Sequence, residues 1–288
     1  VILGVLCEDL IEEQAVDTNL TKFFFALGTG YNKNRILLLK EEGVQHILFS
    51  FATWDGRDFP VGGFSEVMLD SGAFAAANSG VHISLNKYCL WLKLYGKQVS
   101  VYVNLDDLTD PKISLENQKF LEGEGLSPIP VWHVGESRSY LEHYCQNYDL
   151  VAIGGFAIGT LPVPSLRKLW RNLVSEYPGK KFHLLGTGAF SALIDQPPYS
   201  LDSTSYLNTQ RFGNLLVVKE GLLTNMPTGV ISGIQHFFTK EEMMRNNIRA
   251  LKYCETKEFW DGVEGKKIPV GTYRQNSLFE ETEEDGQN

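Results

Sequence analysis

The chain has 288 residues, 43% of them hydrophobic and 12% aromatic, a globular composition with ample length for one large core. Its formal net charge of −9 argues on its face against a nucleic-acid partner, and no apolar run reaches the ~18 residues of a membrane span. Part of that charge is local. The end FEETEEDGQN holds Glu280, Glu281, Glu283, Glu284 and Asp285, and without these five the body has 30 acidic against 26 basic groups, or −4. A body so mildly acidic is compatible with a local basic groove.

The start, VILGVLCEDLIEEQ, lacks the basic n-region of a signal peptide and turns acidic at Glu8 and Asp9, so it reads as a strand or buried arm. Eight β-forming runs follow: FFFAL (23–27), HILFSFA (46–52), VMLD (67–70), VSVYVNLD (99–106), PIPVWHV (128–134), LVAIGG (150–155), KFHLLG (181–186) and YSLD (199–202). Helical spacing places helices over Asn32–Glu42, from Ser84 to Tyr95, from Ser114, from Ser137, and from Ser165 to Pro178-Gly179. Thr239 and Glu242 form a capping box that opens one long final helix, Thr239–Trp260. The segment TWDGRDFPVGGFSE (53–66) reads as a loop. Strand–helix alternation indicates α/β with a parallel sheet, and eight is the strand number of a closed barrel. The expectation is an irregular (β/α)₈ TIM-type barrel. One domain with its C-terminal helix would cover 1–275, and an acidic, disordered tail 276–288.

Cys7, Cys89, Cys145 and Cys254 are scattered without a CxxC, and the six histidines form no HxxxH-like pair. Free thiols, a cytoplasmic location and no metal are expected.

Several runs end in groups suited to chemistry, and in such a barrel all strand ends open onto one face. Asp70 in LDSGAF precedes Ser71 and Gly72, a pair that lets a ligand approach the backbone; read alone, it caps a turn. Asp106 and Asp107 end a β-forming run, and one of them has the TDP turn to cap. His133 in VWHVGES reads equally as a site or a core residue. Gly154-Gly155-Phe156 bares backbone groups to a planar ligand or makes a barrel bend, and LLGTGAF (184–190) could be a phosphate-type nest. Asp202 in SLDSTS comes last.

Taken in order, LDSGAF, LDD, VWHVGES, AIGGFAIG, HLLGTG and LDS resemble the tRNA-guanine transglycosylase superfamily over about residues 67–205. The resemblance implies base exchange at a guanine nucleoside. By position, Asp202 matches the family's nucleophile and Asp70 the proton-shuttling aspartate on the base. Asp106 matches the acid that reads the guanine edge, and Gly154 and Gly155 the loop on the base. Ser71 and Gly72 belong to the same turn. His133 or Trp132 stands where the family has a glutamine. The family's zinc cluster and the basic segment after its nucleophile are absent, and Thr160 replaces a loop glutamate tied to an amino-methyl ligand. A short, zinc-free relative looks like the DpdA-type enzymes of phages and bacteria, which insert 7-deazaguanines into DNA. That resemblance implies DNA and free 7-cyano-7-deazaguanine as partners, no cofactor, and the host cytoplasm if the chain is phage-encoded.

In this reading Asp202 forms a covalent glycosyl intermediate, Asp70 carries the proton, and Phe156 or Tyr206 stacks on the base unless it is core. Backbone contacts would come from Arg167, Lys168, Arg171, Lys180, Lys181, Arg211, Arg245 and Arg249, each of which also reads as part of a solvated face. The competing readings are tRNA as substrate, a hydrolytic N-glycosidase, and a non-catalytic nucleic-acid-binding barrel.

Overall fold

The computed structural model describes residues 21–28, 32–53, 62–156, 161–193, 196–207, 214–219, 222–227 and 239–263. The expected N-terminal arm, Cys7, most of the 53–66 loop, Thr160, Arg211 and the acidic tail lie outside the described residues.

Eight parallel strands form one curled sheet. They are β1 (Lys22–Ala26), β2 (His46–Ser50), β3 (Glu66–Asp70), β4 (Val101–Tyr102), β5 (Val131–His133), β6 (Leu150–Gly154), β7 (Lys181–Leu184) and β8 (Ser200–Ser203). Their order is β4-β3-β2-β1-β8-β7-β6-β5, and each overlaps one of the eight runs marked in the sequence. Just past the edge strands, Val103 and Ile129 form a parallel bridge. Ile129 N–H donates to Tyr102 O at 2.8 Å and Asn104 N–H to Ile129 O at 2.9 Å.

Helices flank the sheet: α1 (Lys33–Glu41), α2 (Ala73–Ser79), α3 (Leu85–Tyr95), α4 (Pro111–Gly123), α5 (Arg138–Asn147), α6 (Val163–Glu176), α7 (Lys240–Lys252) and α8 (Lys257–Val263). Asn32, Ser84 and Ser137 cap α1, α3 and α5 through their side chains, and the Thr239–Glu242 capping box opens α7. No described helix is long and apolar enough to cross a membrane.

Alternation along the strands separates two apolar layers. Phe23, Phe25, Ile47, Phe49, Val67 and Leu69 face outward with Leu39, Tyr88, Leu92, Trp170 and Leu173 of the helices. Phe24, Ala26, Leu48, Met68, Val103, Ile129, Val131 and Ala152 pack against one another on the concave face. β7 and β8 break this pattern. Their outward residues Phe182, Leu184 and Leu201 are apolar, whereas His183, Ser200 and Asp202 take the alternate positions.

Four expectations need correction. The 99–106 run is a strand only at Val101–Tyr102. Beyond it, side chains of α4 hold the chain: Asn117 donates to Leu105 O at 2.7 Å, and Ser114 Oγ accepts from Asp107 N–H at 2.8 Å. Helix α4 therefore starts before Ser114, at Pro111 with Asp110 as its cap. Helix α6 starts two residues before Ser165, at Val163. The expected single final helix is two, because Thr256 adopts an extended conformation and its Oγ caps Phe259 N–H at 3.3 Å.

An antiparallel hairpin, β9 (Asn214–Lys219) and β10 (Leu222–Pro227), escaped the sequence reading. Its signal was present as two apolar runs separated by Glu220-Gly221. Fully buried Asn247 of α7 ties it down, accepting from Leu216 N–H at 2.7 Å and donating to Tyr206 O at 3.3 Å. Asn247→Ala leaves both backbone groups unpaired, and a loss of about 1–3 kcal/mol is expected in urea unfolding. A loss within 0.3 kcal/mol, roughly the scatter of a neutral surface change, would show that the hairpin is held otherwise.

Candidate active site

Asp70 is the last residue of β3, beside Ser50 of β2 in register. On the concave-facing positions of their strands, Ser50 and Asp70 follow Leu48 and Met68. The chain then turns through Ser71 to Gly72, whose φ of 82° is left-handed, and enters α2. Asp70 Oδ2 accepts from Gly72 N–H at 3.0 Å, so it caps the turn while its carboxyl stands at the strand-end face. A Cβ on Gly72 would lie 2.2 Å from Ser50 Oγ and 2.5 Å from Ala52 Cβ. Only glycine fits there.

Asp106 and Asp107 divide the two roles anticipated for them. Asp107 Oδ1 caps the TDP turn, accepting from Thr109 N–H at 2.9 Å and Asp110 N–H at 3.0 Å. Asp106 is buried; its Oδ2 meets His133 Nε2 at 2.8 Å, and its Oδ1 accepts from Ser71 Oγ at 3.3 Å. His133 ends β5 in register with Gly154, which ends β6. Its imidazole lies over that glycine, where a Cβ would come within 2.2 Å of Nδ1. Gly155, at φ 98°, would crowd Val134 if it had a side chain. The glycine pair thus seats His133 upon Asp106.

Asp202 sits in β8 and is buried. Its Oδ1 accepts from Gly186 N–H at 2.8 Å, and its backbone O accepts from Thr187 N–H at 2.9 Å. In the LLGTG loop, which could have been a phosphate-type nest, Gly186 N–H is thus turned onto the Asp202 carboxylate and Thr187 N–H onto the Asp202 carbonyl.

These carboxyl groups act on one another. Burial, then the charge of Asp106, then that of Asp202, push the Asp70 pKa from an ordinary 3.8 to about 7. Burial opposes charge on His133, but its bond to Asp106 and that carboxylate's field raise its pKa. Asp70, Asp106 and Asp202, widely spaced in sequence, therefore share one site with Ser71, Gly72, His133 and Gly154.

Other expected members lie elsewhere. Phe156 is fully buried with its ring edge-on to Trp170, centroids 6.1 Å apart, so this ring belongs to the outer core rather than to a ligand face. Tyr206 is also core; its hydroxyl donates to Ala26 O at 3.0 Å. Arg245 bonds Glu41, Glu42 and Glu241, and Arg249 bonds Glu42, beside the start of β2 and away from the strand ends. Lys180 and Lys181 adjoin the start of β7 and so share that opposite face. Arg167, Lys168 and Arg171 line a surface depression on α6, the helix that follows the glycine pair.

Sequence reading missed three residues. Ser50 Oγ and His183 are buried on concave-facing positions, and Phe74, in the first turn of α2, is 70% exposed. Counting by twos from Leu48 and from outward Phe182 would have found the first two; nothing in the sequence marks Phe74 as exposed. Comparison of the chain with protein-family models and with curated protein sequences gives no match.

Two outcomes follow from this geometry. Folded Asp70 keeps its proton up to pH about 7, while the unfolded chain releases it near 3.8. Stability from this group therefore falls as pH rises between those values and stays low above them. Asp70→Asn should raise Tm at pH 8 and leave it nearly unchanged at pH 3; equal shifts at both would show no buried, proton-holding carboxyl. Gly154→Ala should expel His133 from Asp106, seen by NMR as a lower His133 titration midpoint. An unmoved midpoint would mean the ring is held by other groups.

Proposed function

We propose that the chain is a DNA guanine transglycosylase, exchanging guanine for 7-cyano-7-deazaguanine. We propose also that its sheet closes through the Val103–Ile129 bridge into an irregular (β/α)₈ barrel with this site at its mouth. What carries the reading is the gathering of three carboxyls, where burial and the fields of Asp106 and Asp202 raise the Asp70 pKa to about 7. Base exchange needs such a pair of roles: a carboxylate for the sugar and a proton carrier for the base.

In the proposed cycle Asp202 attacks the anomeric carbon as the bond to guanine N9 breaks, and the electron pair leaves with the base. Asp70 gives that nitrogen its proton. The nucleic-acid strand stays attached through the aspartyl ester. An incoming 7-deazaguanine then returns its N9 proton to Asp70 and displaces Asp202 from the opposite side, so configuration is retained. Asp106, preset by Ser71 and His133, has lone pairs for the guanine N1–H and amino group. Adenine would leave that buried acceptor unmatched.

Exposed Phe74, one turn from Asp70, offers an aromatic face for a base that has left the stack. Arg167, Lys168 and Arg171 supply positive charge on α6 for the phosphates. Thr160, in place of the superfamily's glutamate, suits an uncharged 7-substituent.

The test is incubation with radiolabelled guanine and, separately, DNA and tRNA. Label in DNA alone is expected, and Asp202→Ala should lower it by about 10⁴-fold while folding and base binding persist. Label in tRNA alone would transfer the reading to tRNA; label in neither, or an unimpaired Asp202→Ala, would remove it.

A further inference from the structure

We infer that His183 is a positioning residue for Asp202, with Ser200 behind it; the inference rests on the reading above, in which Asp202 attacks the sugar. Apolar side chains of six strands or their flanks pack together on the concave face, whereas β7 and β8 place His183, Ser200 and Asp202 on it. His183 is fully buried there, with the Phe24 ring at 5.8 Å edge-on to it. Its Nδ1 meets Ser200 Oγ at 2.9 Å, and its Nε2 stands 3.3 Å from Asp202 Oδ1. Nε2 makes no hydrogen bond in the described residues; Asp202 Oδ1 is its ionic neighbour, outside hydrogen-bond geometry.

A buried imidazole nitrogen without a partner is costly, which gives this long contact a direction. A carboxylate only accepts, so we place the proton on Nε2, where a small turn of either side chain brings it onto Asp202 Oδ1; the Ser200 hydroxyl then donates to Nδ1. Gly186 N–H approaches the same Oδ1. With that turn Oδ1 has donors on two sides, and Oδ2 is left to meet the anomeric carbon. Ser200 itself is buried and two residues before Asp202, so it sets the tautomer and is no nucleophile. The arrangement fixes which oxygen attacks.

Two measurements on the full chain test this. The ¹⁵N resonances of His183 in the wild type should show a proton on Nε2, a readout independent of any turnover. An unprotonated Nε2 overturns the inference whatever the activity. Single-turnover base exchange should fall about 10²-fold in His183→Leu, as when one aimed donor is lost, with KM for the base unchanged. His183→Gln, whose amide can reach Asp202, should recover about tenfold of that. A Leu variant that exchanges like the wild type, or a folded Gln variant as poor as Leu, overturns it. If Leu does not fold, the Gln variant and the NMR decide. A wild type without exchange but with Nε2–H on Asp202 would sink the transglycosylase reading and leave the contact standing.

Discussion

Mutual repulsion among Asp70, Asp106 and Asp202 is the constraint around which the polar structure of this chain is arranged. Each carboxyl is answered by a donor from its own backbone or neighbours: Gly72 N–H for Asp70, Ser71 and His133 for Asp106, Gly186 N–H for Asp202. The residual cost falls on Asp70, which keeps its proton. A site of three buried acids with no proton among them would weaken the fold that builds it. Holding one proton relieves that cost and leaves a group able to give the proton up near neutral pH.

Close approach is the second requirement, and two glycines meet it. Gly72 turns β3 into α2 with its Cα pressed on Ser50 and Ala52, and Gly154 lies under the His133 ring. A methyl group at either place would occupy space already filled by a side chain. Electrostatics and packing thus meet at the same residues, because donors reach the carboxylates only where no Cβ intervenes.

Much of this was legible in the sequence, for reasons that differ by element. The eight strands were found because β-branched and aromatic runs are local signals, and Asn32, Ser84, Ser137 and Thr239 were found as caps because capping spans three residues. The strand-end acids were placed by their position in each run. What failed depends on distant partners. The long run at 99–106 leaves the ladder because α4 claims its backbone. His183 went unremarked because its meaning lies in Ser200 and Asp202, which are adjacent to it only across strands. No run of letters states that Gly186 N–H meets Oδ1 of Asp202.

Total charge hides where the charges sit. Acids and bases are not spread evenly over the chain: Arg245 and Arg249 are spent on Glu41, Glu42 and Glu241 at the face where strands begin. Arg167, Lys168 and Arg171 line one depression on α6, where both arginines also have interaction partners. A polyanion responds to the field within about a Debye length, ~8–10 Å in physiological salt, and not to the sum over the molecule. The sites where an arginine already has its carboxylate therefore contribute little to such a field, however they enter the formal −9. The same logic applies inside the site, where Asp70 is governed by its burial and two neighbours rather than by the acidity of the whole chain. Placement, set by the sheet, decides both cases.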